Sequence, residues 1–288
     1  IKGNSMKALI VGLGRIGKRH LHNLKQIDPE IKIAVWRQYS KTFDDRENLP
    51  IDTIAFTLEE ALKYRSDFAL ITNPSSMHIE TALALAKEKI HLFIEKPISN
   101  SLANIENLIS LCSKKDVLCM VGYNFFFNRP MMTMKKTLAD GIIGSPLFLR
   151  AEVGQYLPDW SPDNDYRKSV SGKKELGGGV ILELSHEFCY SRWLMGEVKS
   201  VYAHMAHLSN LEIDVEDTAE IILEFSSGMI GNIHLDMVQK NRTRICRVIG
   251  TKGELKWDGI SNGLELFSAK TGLWSVLHAP GIIELNEM

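Results

Sequence analysis

From Lys7 to about Tyr123, short β-branched and aliphatic runs alternate with stretches whose apolar residues recur every third or fourth position. The runs are KALIVG, IKIAVW, DTIAF, DFALIT, IHLFIE and VLCMVGY. Between them lie GKRHLHNLKQI, TLEEALKY, MHIETALALAKE and LANIENLISLCSKK. A short continuous apolar run fits a strand buried on both faces, and the three-to-four recurrence fits an amphipathic helix. Their alternation predicts a parallel sheet with helices packed on both faces. Asn100 and Ser101 are suited to cap the last of these helices.

The rhythm changes after Tyr123. PMMTMKKTLAD reads as a helix stopped by Gly141, and SPLFLRAEVGQY as a strand. A polar segment, LPDWSPDNDYRKSVSGKKE, leads into Gly177, Gly178 and Gly179. The spacing in VILELSHEFCYSRWLM then predicts one helix ending at Gly196. From Val198 onward only strands and turns are expected: KSVYAHMAHL, EDTAEIILEF, MIGNIHLDMV, TRICRVIG, GELKWDG and GLELFSA. SSG, TKG and SNG serve as turns between several of them. This pattern predicts an antiparallel meander in an α+β second domain. No internal repeat or low-complexity tract interrupts it.

Composition narrows the function classes. The 288 residues are 44% hydrophobic and 24% charged, as in ordinary globular proteins, and suffice for two domains. A net charge of −1 gives no reason to expect nucleic acid or an anionic membrane as partner. Cys112, Cys119, Cys189 and Cys246 are scattered without ligand-like spacing and read as reduced thiols. No apolar run reaches membrane-spanning length, and no signal-like h-region stands at the start, so a cytoplasmic location is expected. IKGNS, ahead of Met6, is set aside as foreign to the fold.

VGLGRIG ends the first run and opens the first helix, giving GxGxxG in Gly12, Leu13, Gly14, Arg15, Ile16 and Gly17. Gly12 permits the tight turn, Gly14 lets backbone approach a pyrophosphate, and Gly17 lets helix and strand close together. A glycine turn alone is a weak signal, but at the head of a six-run alternation it predicts a dinucleotide site. An NAD-specific site usually offers an acid about 20 residues onward. Here no Asp or Glu falls between Glu30 and Asp44, and Trp36 and Arg37 hold that place. An arginine there suits the 2′-phosphate of NADP, so the expectation is NAD(P) with a preference for NADP. The alternative is an exposed arginine at a strand end.

HLFIEKPIS sets Glu95, Lys96 and Pro97 at the C-terminal end of the fifth run, the edge where open α/β sheets bind ligands. Taking a hydride from a carbinol carbon requires a base for the hydroxyl proton, and Lys96 is a candidate. A solvated strand-end lysine is the bland alternative. Thr72, Asn73 and Pro74 end the fourth run at the same edge and are candidates for the nicotinamide side. His78, one helical turn on, reads equally as a nucleotide-side residue or a helix-surface histidine. Glu183 and His186 follow the glycine triplet in an apolar stretch, where buried acids and imidazoles are uncommon without a partner or a task. Tyr166, Arg167 and Lys168 lie upstream, as substrate contacts or as an exposed loop. A zincin motif fails because Tyr190 stands four residues after His186. His204 and His207, an odd number apart on an expected strand, read as ordinary strand residues facing opposite sides. No metal site is expected.

GLGRIG, TNPSSMH, EKP, the GYN of Gly122 to Asn124, and GGG followed by acid and histidine occur together in order. In this the chain resembles the Gfo/Idh/MocA family of glucose–fructose oxidoreductase and inositol dehydrogenase relatives, over nearly its whole length from Met6. The resemblance implies a Rossmann domain over 6–123 with a doubly wound parallel sheet, followed over 124–288 by an α+β domain with a large, mostly antiparallel sheet. It implies NAD(P)-dependent hydride transfer to or from a ring carbon of a sugar, sugar nucleotide or cyclitol. It also implies a homodimer or homotetramer through the second sheet. By the same resemblance Lys96, Glu183 and His186 are catalytic. Glu95 and Asn124 are counted among the cofactor candidates, and Tyr166 and Arg167 among the substrate candidates.

The chain departs from the family pattern of Asp, His four residues later, and a further Asp three beyond. It has Glu183, His186 and Cys189 instead. The longer glutamate arm can offset the shorter spacing if both lie on one helix face. The lost acid keeps a second class of function open, a sensor of NAD(P) and sugar on the same scaffold. Relatives continue past a segment like IELNEM into a closing helix, so early termination is expected here.

Overall fold

The structure is a computed structural model, in which residues 5–38 and 49–281 are described. The closing segment on which early termination was expected, most of IKGNS, and the acid-free stretch beyond Gln38 lie outside them. The chain divides into two compact units. The first runs to Gly122 and includes Glu175–Gly177; the second takes Tyr123–Lys174 and the chain from Gly178.

In the first unit the elements follow as β1 (Lys7–Val11), α1 (Arg15–Ile27), β2 (Lys32–Trp36), β3 (Thr53–Ala55), α2 (Leu58–Lys63), β4 (Phe68–Ile71), α3 (His78–Lys87), β5 (His91–Ile94), α4 (Ile105–Lys115) and β6 (Cys119–Val121). The six strands lie in the order β3-β2-β1-β4-β5-β6, and every pair is parallel. Two apolar clusters cover opposite faces. Leu9, Val11, Ile71 and Ile94 face one, with Leu85 and Leu108 from α3 and α4. Ala8, Ile10, Ile33 and Val35 face the other, with Leu21 from α1. In the inner strands the continuous apolar runs are therefore the signature of burial on both sides, whereas the edge strand β6 leaves Cys119 and Met120 exposed. The strand order reverses between β1 and β4, the switch point at which such sheets bind ligands.

One boundary differs from expectation. The helix read from Leu102 begins at Ile105, and its N-cap is Asn104 in the left-handed region at φ 61°, not Asn100 or Ser101. Asparagine is among the few residues that enter this region at small cost.

The second unit contains α5 (Arg129–Ala139), β7 (Pro146–Gly154), α6 (Val180–Glu183), α7 (His186–Met195) and then β8 (Val198–Ala206), β9 (Thr218–Phe225), β10 (Ile230–Asp236), β11 (Thr243–Gly250), β12 (Gly253–Asp258), β13 (Gly263–Ser268) and β14 (Leu273–His278). The strand β14 was not anticipated. The eight strands run β14-β13-β12-β11-β7-β10-β9-β8. This is not a simple meander: β7 enters between β10 and β11 and pairs in parallel with β10, Phe148 opposite Ile230. One face is buried, with Leu149, Ala151, Ile221, Ile233, Val248 and Leu255 packed beneath α7 residues Tyr190 and Leu194 and beside the fully buried Trp257. On the other face Tyr202, Ile222 and Ile230 are exposed.

The single helix expected over 180–195 is two. Leu184 and Ser185 interrupt it, and Glu183 and His186 do not belong to one continuous helix. His207 lies just past the end of β8 beside Asp217, so the argument from strand alternation does not apply to it. No helix among the described residues is long and apolar enough to cross a membrane.

The glycine turn after β1 gives a test of this packing. A β-carbon on Gly17 would collide with the Gly12 carbonyl oxygen, whereas one on Gly14 meets nothing within 4 Å. Gly17→Ala is expected to cost about 1–3 kcal/mol, as overpacking does, and Gly14→Ala to leave stability near wild type. Denaturant midpoints of the two variants check this; equal midpoints would contradict it.

Candidate active site

The switch-point turn is built by backbone. Gly12 holds φ +89°, with the Thr72–Asn73 backbone about where its β-carbon would be (3.0–3.1 Å). Its N–H donates to the Trp36 carbonyl at 3.0 Å. The Thr72 hydroxyl lies 2.9 Å from both the Val11 and Gly12 carbonyls. Gly14 is the extended N-cap of α1, with no side-chain cap. The first N–H groups of a helix lack intrahelical acceptors and favour an anion. With open space at Gly14, these residues fit the pyrophosphate of a dinucleotide.

Trp36 and Arg37 close β2. Trp36 is 8% exposed, and the Arg37 N–H donates to the Ala55 carbonyl at 2.9 Å. Asn73 is buried, and its amide donates to Gln38 at 2.8 Å and Thr81 at 3.0 Å, tying β2's end to α3.

His78 is not a helix-surface residue. It is 2% exposed, with Nε2 2.8 Å from the Asn73 carbonyl and Nδ1 2.9 Å from the Pro97 carbonyl. Burial pushes its pKa down, against the two carbonyls that favour the protonated ring. The Lys96–Pro97 bond is cis. Glu95, expected on the cofactor wall, turns one carboxylate oxygen to His20 Nε2 at 2.6 Å and accepts the Lys96 N–H on the other at 3.1 Å.

The glycine triplet is closely packed by the chain itself. Gly177 sits against Ser75, whose hydroxyl donates to the Gly177 carbonyl at 3.2 Å. Gly178 lies on the Val170 and Ser171 carbonyls. Gly179, at φ +107°, lies where a side chain would strike the Glu216 carboxylate. That carboxylate accepts the Ile181 N–H at 3.2 Å, and the Glu216 carbonyl accepts the Val180 N–H at 3.1 Å. The start of α6 is therefore satisfied from within the protein.

His186 starts α7 with its ring edge-on to Phe125 (4.8 Å between centroids) and to Tyr123 (5.7 Å). Phe125 also meets Trp257 at 5.3 Å and lies under the Arg244 guanidinium at 4.8 Å. Arg244 in turn makes two hydrogen bonds to Glu187, at 2.8 and 3.1 Å. The Glu187 side chain is wholly buried and that of Arg244 20% exposed. Thus the residue beside His186 is fastened to β11, and the ring on which His186 rests is fastened to the same pair. Sequence reasoning missed Glu187, Arg244 and Phe125; its one signal was a second acid adjoining the histidine. Asn124 opens the short turn before Phe125, its buried Oδ1 without a hydrogen-bond partner. Burial pushes the Cys189 thiol up to about 11, so at neutral pH it stays protonated where the family pattern has an acid.

Tyr166 packs against the second core. Arg167 is half exposed and ion-paired to Asp165 at 2.8 Å and Glu212 at 3.1 Å. Among the described residues no group of three or more His, Cys, Asp or Glu side chains is placed to hold a metal.

Residues 6–123 match the model of the oxidoreductase family with an NAD-binding Rossmann fold, and residues 131–256 match the GFO/IDH/MocA C-terminal domain. The chain belongs to the Gfo/Idh/MocA oxidoreductase family. Myo-inositol 2-dehydrogenase of Thermotoga maritima is 32% identical over 88% of the chain and 76% of its own length. The scyllo-inositol 2-dehydrogenase (NAD(+)) of Bacillus subtilis is 25% identical over 88% of the chain and 73% of its own length. Among solved structures, the WlbA dehydrogenase of Bordetella pertussis in complex with NADH and UDP-GlcNAcA shares the fold. Its TM-score is 0.79 at 24% identity, covering 89% of this chain and 79% of that one. The two sheets, one parallel with six strands and one mostly antiparallel with eight, are the two-domain architecture of the family.

Removing one partner of a buried pair leaves an uncompensated charge. Glu187→Leu is expected to destabilise the fold by on the order of 3 kcal/mol. Adding Arg244→Met should restore much of that loss. Thermal midpoints of the single and double variants read the coupling; equal midpoints would show none.

Proposed function

We propose that the chain is a dehydrogenase or reductase that moves a hydride between a nicotinamide and a ring CH–OH of a cyclitol, sugar or sugar nucleotide. The observation that carries this reading is the placement of Lys96 at the carboxyl end of β5, in a sheet whose switch-point turn fits a dinucleotide. The likeness to a myo-inositol 2-dehydrogenase supports a cyclic polyol as substrate. When bound, the nicotinamide supplies or accepts the hydride.

The chain's own residues handle the proton. Lys96 exchanges it with the reacting hydroxyl, as acid or base according to direction. His186 is the alternative carrier, and its aromatic seat on Phe125 and Tyr123 fixes the plane of its ring. Glu183 orients or tunes its partner, and Tyr166 and Arg167 serve the substrate hydroxyls or phosphate. Within the first unit Gly12 to Gly17, Trp36, Arg37, Thr72 to Pro74, Glu95 and Lys96 serve the cofactor, with His78 behind them, and Asn124 is a further cofactor residue. Arg37 in place of the usual acid favours NADP over NAD. The exposed face of the second sheet, with Tyr202, Ile222 and Ile230, supports a homodimer or homotetramer through that face.

The protonated thiol at Cys189 favours a second reading, a non-catalytic sensor of the same ligands. Single-turnover absorbance at the nicotinamide band, with NAD+ and myo-inositol and with NADPH and keto-sugars, separates the two. Cofactor binding with no turnover on any sugar or cyclitol would favour the sensor. Lys96→Met is expected to cut turnover by roughly 10²–10⁴-fold, the usual worth of a general acid or base, while cofactor affinity changes little. Turnover near wild type would remove Lys96 from the chemistry. Arg37→Asp should shift preference from NADP toward NAD, and an unchanged ratio of the two affinities would refute the role of Arg37.

A further inference from the structure

Lys96 lies where the strand's own hydrogen bonding runs out. The Glu95 N–H still joins the ladder, donating to Ile71 at 3.0 Å, but Pro97 has no N–H to give. A lysine on a flexible four-carbon stem reaches one place reproducibly only if its backbone is fixed. Two histidines from different helices supply what the ladder does not.

On the near side, His20 of α1 meets Glu95 Oε1 at 2.6 Å, and the other oxygen of that carboxylate receives the Lys96 N–H at 3.1 Å. Carboxylate oxygens accept, so His20 Nε2 carries the proton of this bond. The pair is largely enclosed, with side-chain exposures of 17% and 15%. Phe93 supports the His20 ring edge-on at 5.3 Å. Gly122 leaves room for both Phe93 and Glu95, since a β-carbon there would stand 3.0 Å from the Phe93 ring. On the far side, His78 of α3 lies with Nδ1 2.9 Å from the Pro97 carbonyl and Nε2 2.8 Å from the Asn73 carbonyl; both oxygens only accept, so the protonated ring donates to both and the neutral ring to one while packing against the other.

We propose that His20 and His78 are positioning residues that clamp the backbone on either side of Lys96. His20 holds it to α1, the helix that opens at the glycine turn, and His78 holds it to the turn after β4. The nucleotide side of the sheet and the proton-carrying lysine are then one mechanical unit. The consequence for catalysis rests on the reading of Lys96 as proton carrier; the clamp itself does not.

The test uses the full chain with His20→Leu, His78→Leu, and the donor-retaining His20→Gln and His78→Gln. Reductive ¹³C-methylation reports each lysine by NMR, with the Lys96 signal assigned from Lys96→Arg. NADH fluorescence measures cofactor binding, and NAD+ with myo-inositol measures turnover. Each Leu variant is expected to move the Lys96 signal and its titration curve while NADH affinity stays within about threefold. Turnover should fall by up to about 10²-fold, the effect of small misplacements, at nearly constant KM, and each Gln variant should recover part of both losses. A Lys96 signal identical to wild type in both Leu variants overturns the clamp. Should the enclosed His78→Leu fail to fold, His20→Leu and Glu95→Ala carry the test: matching displacements of the Lys96 signal support the clamp, and none refutes it. A moved Lys96 signal in a protein whose wild type binds cofactor but turns over neither polyols with NAD+ or NADP+ nor keto-sugars with NADPH would uphold the clamp and remove the proposed reaction.

Discussion

Where α1 meets β1, the space that a side chain at residue 17 would need is already filled by the Gly12 carbonyl and the Thr72 hydroxyl. This close approach decides what the helix can reach. Set directly on β1 and the end of β4, α1 carries His20 to Glu95 and leaves open space beside Gly14 at its start. The Thr72 hydroxyl, shared between the Val11 and Gly12 carbonyls, locks the turn after β4 to the turn after β1. That second turn presents the Asn73 carbonyl to His78. The glycine turn after β1, the turn after β4 and the setting of Glu95 beside Lys96 are therefore consequences of one missing side chain.

In the second unit the corresponding constraint is electrostatic. Glu187 and Arg244 give up most of their water, and such a pair offers little net stability over apolar residues of the same size. Its value lies in fixing one arrangement. Because Arg244 also covers Phe125, and Phe125 supports His186, the pair sets both the start of α7 and the surface on which the imidazole rests. The triplet of glycines has an equally structural purpose: it lets the chain's own carbonyls and the Glu216 carboxylate come close.

The parallel sheet was legible because strands buried on both faces must be continuously apolar, whatever they pack against. The glycine turn was legible for a similar reason, since each glycine answers a local steric demand. What failed was non-local or conformational. The break at Leu184 and Ser185 leaves apolar spacing intact across both helical pieces, so periodicity runs through it. Asn104 caps α4 from a left-handed conformation that composition does not announce. Neighbouring strands in sequence usually pair, so the entry of β7 beside β10 and β11 had no local signal. The strand β14 is largely exposed and lacks a buried alternation to mark it. Glu187 reads as one more polar residue until its partner, far along the chain, is in place. His78 shows the same limit: its neighbours in sequence allowed two readings, and burial against the Pro97 carbonyl removed the helix-surface one.

The parallel pairing of β7 with β10 also bears on how the protein is made. A ribosome releases the first unit almost as a continuous run to Gly122, so its sheet can close while the rest is still being synthesised. Strand β7 has no such option. Both of its neighbours, β10 and β11, emerge much later, and until then its ladder groups and its apolar face wait unpaired. For this protein, the vulnerable interval during synthesis is set by the distance along the message between β7 and β11.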